Sequence, residues 1–191
     1  MKVVVNEIPF THCDVKNFLS EKDFSIVYDY MEKLENPLKP FENYVNCFYI
    51  KPNEMICEKR KINIFKGTKK EKFIPTLDEK VICNILQKTF IKFLKNINMS
   101  HNNIFGFEFA RQSKKYQYKI HTDVKEKKYS FVLYVGKTGS GTKLYDKNKN
   151  LVKVCDWEMN GGIGFARSDY SFHSYDSEEK EIRKTIVINV Y

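Results

Sequence analysis

From residue 104 onward the chain is a succession of short runs rich in β-branched and aromatic residues: IFGFEFAR (104–111), KYQYKIH (115–121), YSFVLYV (129–135), TKLYD (142–146), LVKVCDW (151–157), GIGFAR (162–167) and KTIVINVY (184–191). Each run is strand-sized, and the breaks between them hold Gly, Asn, Lys and Asp. Closely spaced strands of this kind exclude a helical bundle and predict an antiparallel sandwich or jelly roll.

The first 103 residues read differently. Ser20 to Asp23 has the form of a capping box, followed by Phe24, Val27, Tyr28, Met31 and Leu34 at helical spacing. This predicts a helix that stops near Asn36 and Pro37. Pro75 and the box Thr76 to Glu79 open a second helix, with Ile82, Ile85, Leu86, Phe90, Phe93, Leu94 and Ile97 as its apolar members. Between the helices, 45–51 and 61–65 have strand character. The lysine-rich stretch 66–73 is expected to be a solvated, mobile loop. The expected architecture is mainly β (α+β) in one domain, 1–191, with helices and strands in 1–103 and a jelly-roll core in 104–191. Two N-terminal helices would buttress that core.

Two His-x-Asp pairs stand out: His12 with Asp14, and His121 with Asp123. Two histidines and one carboxylate can hold one face of an octahedral Fe(II) and leave three positions open. On a strand, residues i and i+2 share a face, so either pair could present both side chains together. For the second pair, His173 is the remaining downstream histidine, Arg183 lies ten positions beyond it, and Thr185 follows. For the first, His101, Arg111 and Ser113 give a parallel series. The segment 15–100 carries both capped helices and too few strands to wind a jelly roll, whereas 124–172 consists of hairpin-sized strands. The set His121, Asp123, His173 is therefore preferred, and His12 is expected at the surface beside a helix start. Arg111 and Arg167 are assigned structural or surface roles and Trp157 to the core. Tyr116 fits a pocket or plain strand packing equally well.

The five cysteines are odd in number and form no CxxC pair, which argues against a disulfide framework or zinc knuckle and for a reducing, cytoplasmic setting. No apolar run approaches a membrane span. The formal net charge is +9, but 29 of 33 basic residues are lysine, so charge supports a polyanionic partner only weakly. Gly136-Lys137-Thr138 lacks the upstream glycine of a phosphate-binding loop, and the glycines at 161, 162 and 164 do not lead from a strand into a helix.

With YKIHTD (118–123), the distal His173, and Arg183 followed by x-Thr185, the chain resembles the 2-oxoglutarate/Fe(II)-dependent dioxygenase superfamily, in its prolyl-hydroxylase-like branch. GSGTKLYD (139–146) is similar to that family's glycine-rich turn into an interior strand. The resemblance implies a double-stranded β-helix in which His121, Asp123 and His173 hold Fe(II). It implies that Arg183, Thr185 and Tyr118 bind the cosubstrate 2-oxoglutarate, with ascorbate a candidate auxiliary reductant. It further implies a hydroxylase acting on a protein side chain or a small molecule, releasing succinate and CO2; Asp123, which related halogenases lack, favours hydroxylation. Substrate loops are expected within 36–75 and 112–116. Nucleic-acid demethylation ranks lower, because one arginine alone follows His173 where repair members carry a pair. A jelly roll that binds without catalysis is the third alternative.

Overall fold

A computed structural model of the chain describes residues 1–34, 41–101, 104–176 and 182–191. The elements are β1 (Lys2–Asn6), β2 (His12–Lys16), α1 (Glu21–Lys33), β3 (Glu42–Lys51), β4 (Glu54–Asn63), β5 (Gly67–Lys72), α2 (Leu77–Asn96), β6 (Phe105–Gln112), β7 (Gln117–His121), β8 (Tyr129–Tyr134), β9 (Lys143–Tyr145), β10 (Leu151–Val154), β11 (Gly162–Ala166), β12 (His173–Asp176) and β13 (Arg183–Val190). They form a nine-stranded sheet in the order β1-β2-β11-β8-β13-β6-β3-β4-β5 and a four-stranded sheet in the order β10-β9-β12-β7. Every described pairing is antiparallel. This is the jelly-roll arrangement expected from the strand pattern.

Alternation within the central strands sorts the two faces of the large sheet. Phe105, Phe107 and Phe109 of β6, Phe131 and Leu133 of β8, and Ile186, Ile188 and Val190 of β13 pack in one core with Val27 and Met31 of α1 and Leu86, Phe90, Phe93 and Leu94 of α2. The intervening residues Glu108, Ala110 and Gln112 of β6, Val132 of β8, and Arg183 and Val187 of β13 line a cavity on the opposite face. The helices therefore cover the outside, and the polar inner face is left for a site.

Both helix starts are capped as the sequence predicts. Ser20 accepts from the Asp23 amide, and Thr76 with Glu79 forms the complete reciprocal box. α1 closes at Lys33, and its expected stop at Asn36 and Pro37 lies outside the described residues.

Several expectations are corrected. His12 lies not beside a helix start at the surface but on β2, 1% exposed, between β1 and β11. Residues 67–72 are a strand, β5, held to β4 by backbone pairing although every side chain is exposed. β1, β2 and β12 are further strands. Five of the nine strands in the large sheet, β1 to β5, precede residue 104, so the N-terminal part extends the sheet at both edges as well as supplying the helices. Gly141 and Gly162 answer to close backbone approach, since a Cβ at either would meet the carbonyl of Cys155 or Val132. No helix among the described residues is long and apolar enough to cross a membrane.

Candidate metal centre

His121 ends β7 and His173 begins β12, and the two are directly paired across the small sheet. Their ring centroids are 4.2 Å apart. Asp123 lies just past the end of β7 rather than on it, which corrects the same-strand placement; the loop turns its carboxylate back toward the histidines. Donor atoms of His121, Asp123 and His173 all lie within 4.8 Å of one another, and among the described residues no other His/Cys/Asp/Glu cluster converges this way.

The surroundings leave this cluster ready for a cation. His121 Nδ1 is 2.9 Å from the Lys119 carbonyl and His173 Nδ1 is 3.0 Å from that of Ser171. A carbonyl only accepts, so both Nδ1 atoms carry hydrogen and both Nε2 lone pairs are free. Burial lowers the pKa of His121, and burial together with His121 brings that of His173 to about 4. Burial alone would raise the Asp123 carboxyl, but Lys127, His173 and the Ser130 hydroxyl hold it below its usual value. At neutral pH the cluster is two neutral imidazoles and a carboxylate, the donor set that suits a divalent iron-type ion. Ser130 donates to Asp123 Oδ2 at 2.6 Å, and Lys127 Nζ is 3.0 Å from Oδ1. Arg167, for which a structural role was expected, donates from Nε to the Asp123 carbonyl at 3.2 Å and pairs with Asp169.

The cavity beside this cluster has a volume of about 160 Å³, and Arg183 lines it while being 1% exposed. Arg183 Nε donates to the Ser140 carbonyl at 2.9 Å, and Nη1 to Gln112 Oε1 at 3.1 Å. Its plane lies over Tyr175, 4.3 Å from the ring centroid, with Trp157 at 5.6 Å. Nη2 is buried and has no hydrogen-bond partner. A buried guanidinium N–H without an acceptor is costly, and an incoming carboxylate would satisfy it.

Thr185 is fully buried and sits 3.4 Å from Arg183 Nη1, but it does not line the cavity. Its contact is with the arginine. Tyr118 does line the cavity; it is 39% exposed, stacks on Tyr175 at 5.4 Å and meets His121 edge-on at 4.5 Å. Tyr116 packs beneath Tyr175. Trp157, expected in the core, is partly buried there, stacked on Tyr134 and bonded to the Gly136 carbonyl. Within the expected substrate loops, Asn43, Val45, Arg60, Ile62 and Gln112 reach the cavity, while 36–40 lies outside the described residues. Tyr175, Ser130 and Lys127 fall outside the residues expected from the sequence, and Gln112, inside an expected substrate stretch, holds Arg183. Two were legible by position: Tyr175 is two residues past His173, and Gln112 ends a strand whose alternate members Glu108 and Ala110 face the same way.

The other His-x-Asp pair is closed by a lysine. Lys153 Nζ lies 3.0 Å from His12 Nε2 and 2.6 Å from Asp14, which also accepts from Asn6 at 2.8 Å. The remaining members of that series do not join it: Ser113 binds the Glu42 amide, and His101 lies against Phe105.

Solved structures with a similar fold include a prolyl-4-hydroxylase from Pseudomonas putida, with TM-score 0.59 and 9% identity over 94% of this chain and 91% of that one. An oxidoreductase of the 2OG-Fe(II) oxygenase family from Burkholderia pseudomallei is similar at TM-score 0.60 and 13% identity, covering 91% and 80%. IDO from Bacillus thuringiensis is similar at TM-score 0.57 and 12% identity, covering 94% and 89%. No family model matches the chain, and no curated protein does. At these identities the likeness establishes the fold.

Proposed function

We propose that this chain, which shares the fold of 2-oxoglutarate/Fe(II) oxygenases, is itself an Fe(II)- and 2-oxoglutarate-dependent oxygenase that hydroxylates a C–H bond presented at its cavity mouth. The observation that carries this is one small cavity lined both by a converging His-Asp-His cluster and by a buried guanidinium with an unpaired N–H. His121, Asp123 and His173 would hold the metal, and Arg183 the far carboxylate of the cosubstrate. Bound Fe(II) supplies oxygen activation, with the balance R–H + O2 + 2-oxoglutarate giving R–OH + succinate + CO2.

The chain's own groups set the geometry for this. The Lys119 and Ser171 carbonyls fix the tautomer and orientation of both imidazoles, and Ser130 fixes the carboxylate plane. Gln112 and the Ser140 carbonyl hold the guanidinium at the cavity base, and Thr185 backs it. Tyr175 and Tyr118 stack into one wall between the arginine and the metal cluster. The cavity's 160 Å³ falls below the ~300 Å³ at which pockets begin to enclose ligands, which favours a group presented at the mouth by a larger molecule over an engulfed small one.

Succinate formation tests the reading. Purified protein given Fe(II), 2-oxoglutarate, ascorbate and air should yield succinate and CO2, and His173→Ala and Arg183→Gln should not. Equal yields from all three proteins, or none from the wild type, would refute it.

A further inference from the structure

The cavity wall continues into the β4–β5 hairpin, one of the strongly basic segments of the chain. Arg60 and Ile62 of β4 line the cavity. β5 pairs with β4 in the register Arg60↔Lys70 and Glu58↔Lys72. Directly opposed residues of an antiparallel pair project from the same face, so Lys70 and Lys72 extend outward from Arg60 on the cavity side. Residues 54–72 hold seven basic side chains against three acidic ones. Glu58 is taken up by Arg60 at 2.5 Å. Among the described residues, Lys66, Lys69, Lys70 and Lys72 pair with no carboxylate. Beside them, at the hairpin turn, Phe65 is 75% exposed. On the small-sheet bank of the cavity, Tyr118 is also exposed, and Lys127 lines the wall.

We propose that this ledge binds single-stranded nucleic acid, with lysines along the phosphates and Phe65 and Tyr118 as stacking faces for bases, so that the oxidised group belongs to a nucleotide at the mouth. The proposal deepens the oxygenase reading and rests on it for the chemistry, but not for the binding.

One feature favours this occupant over an acidic polypeptide. Lys70 and Lys72 are about 7 Å apart along the strand, a spacing that successive phosphates and alternate side chains of an extended peptide both match, so the aromatic faces make the distinction. An exposed aromatic beside a basic track is the usual composition of a sequence-tolerant single-strand surface. Lysines on an edge strand also discourage strand pairing. That role does not account for Phe65, which meets Phe41 edge-on yet keeps three-quarters of its surface exposed.

The test uses the full-length, metal-free protein and fluorescence anisotropy with labelled single-stranded DNA and RNA 12-mers, and with a polyglutamate peptide of equal charge. Both oligonucleotides are expected to bind at low salt. Because two to four phosphates would be neutralised, the slope of log K against log salt should be about −1.4 to −2.8. The double variant Lys70→Glu/Lys72→Glu should bind at least about tenfold more weakly, and Phe65→Ala about tenfold more weakly through lost stacking. Both changes fall at exposed positions, and circular dichroism checks that the variants fold. The proposal is overturned by absent oligonucleotide binding, by binding unchanged in both variants, or by polyglutamate bound as tightly as DNA. Wild-type protein that binds oligonucleotides but makes no succinate would sink the oxygenase reading and leave this one standing; the converse result would do the reverse.

Discussion

Replacing Arg183 by glutamine separates cosubstrate recognition from metal binding. In the wild type, Nη2 is buried without a partner, and among the described residues no carboxylate lies within ion-pair distance of the guanidinium. Its charge is instead supported by the Tyr175 face, the Ser140 carbonyl and Gln112. A carboxylate arriving there would meet a desolvated cation already held in place. Truncating one partner of such a buried, hydrogen-bonded pair costs about 2–5 kcal/mol. Taking the lower middle of that range, ~3 kcal/mol, 2-oxoglutarate should bind on the order of 100-fold more weakly to Arg183→Gln. Calorimetry on protein loaded with Mn(II) as an inert substitute gives both constants, and metal affinity should change by less than about threefold because the arginine touches no metal ligand. 2-Oxobutyrate, which lacks the distal carboxylate, supplies the control. The wild type should strongly prefer 2-oxoglutarate, and the variant should bind both alike. If the variant keeps that preference, Arg183 is not the anchor and the assignment of the cavity base is wrong.

Other outcomes follow from the same geometry. Ser130→Ala removes the 2.6 Å bond that holds Asp123 and should weaken Mn(II) or Co(II) binding about 10- to 100-fold in a calorimetric titration. His12→Ala, on the lysine-closed pair, should lower the melting temperature yet leave metal affinity within about twofold, because its Nε2 faces Lys153 rather than the His-Asp-His cluster; His121→Ala should abolish metal binding. For pH, His173 is near 4 when folded against 6.5 unfolded. Its folded value is depressed, so below 6.5 the unfolded chain binds the extra proton and stability falls as pH drops toward 4, by about 3 kcal/mol at most. Denaturant melts of metal-free His173→Gln should lose much of that acid sensitivity, while the lowered Asp123 maintains a further decline at lower pH.

Most strands legible in the sequence bury apolar side chains on at least one face; β7 and β10 are legible from β-branched and aromatic residues that stay largely exposed. In β13, Ile186, Ile188 and Val190 point to the helices while Arg183 and Val187 face the cavity. Of the missed strands, β2 does bury Cys13 and Val15, whereas β12 and β5 lack an apolar face. β12 reads His-Ser-Tyr-Asp and turns His173 and Tyr175 toward the cavity, so it carries no hydrophobic signal. β5 buries no side chain at all and exists through its backbone bonds to β4, which no side-chain pattern records. The two His-x-Asp pairs are equivalent as motifs. What separates them is Lys153, 141 residues from His12 in the chain yet bonded to it, and a contact of that range is not written in local spacing. Thr185 shows another limit: its spacing after Arg183 does not reveal that it is fully buried against the arginine and absent from the cavity lining.

The most direct test of the central claim is the visible spectrum of the protein with Fe(II) and 2-oxoglutarate under anaerobic conditions. If both occupy one cavity, with the keto acid on the metal held by His121, Asp123 and His173, a metal-to-ligand charge-transfer band should appear only when both are present. It should be absent in His121→Ala and displaced to far higher 2-oxoglutarate concentration in Arg183→Gln. A wild-type spectrum without the band, or a band undiminished in His121→Ala, would contradict the account.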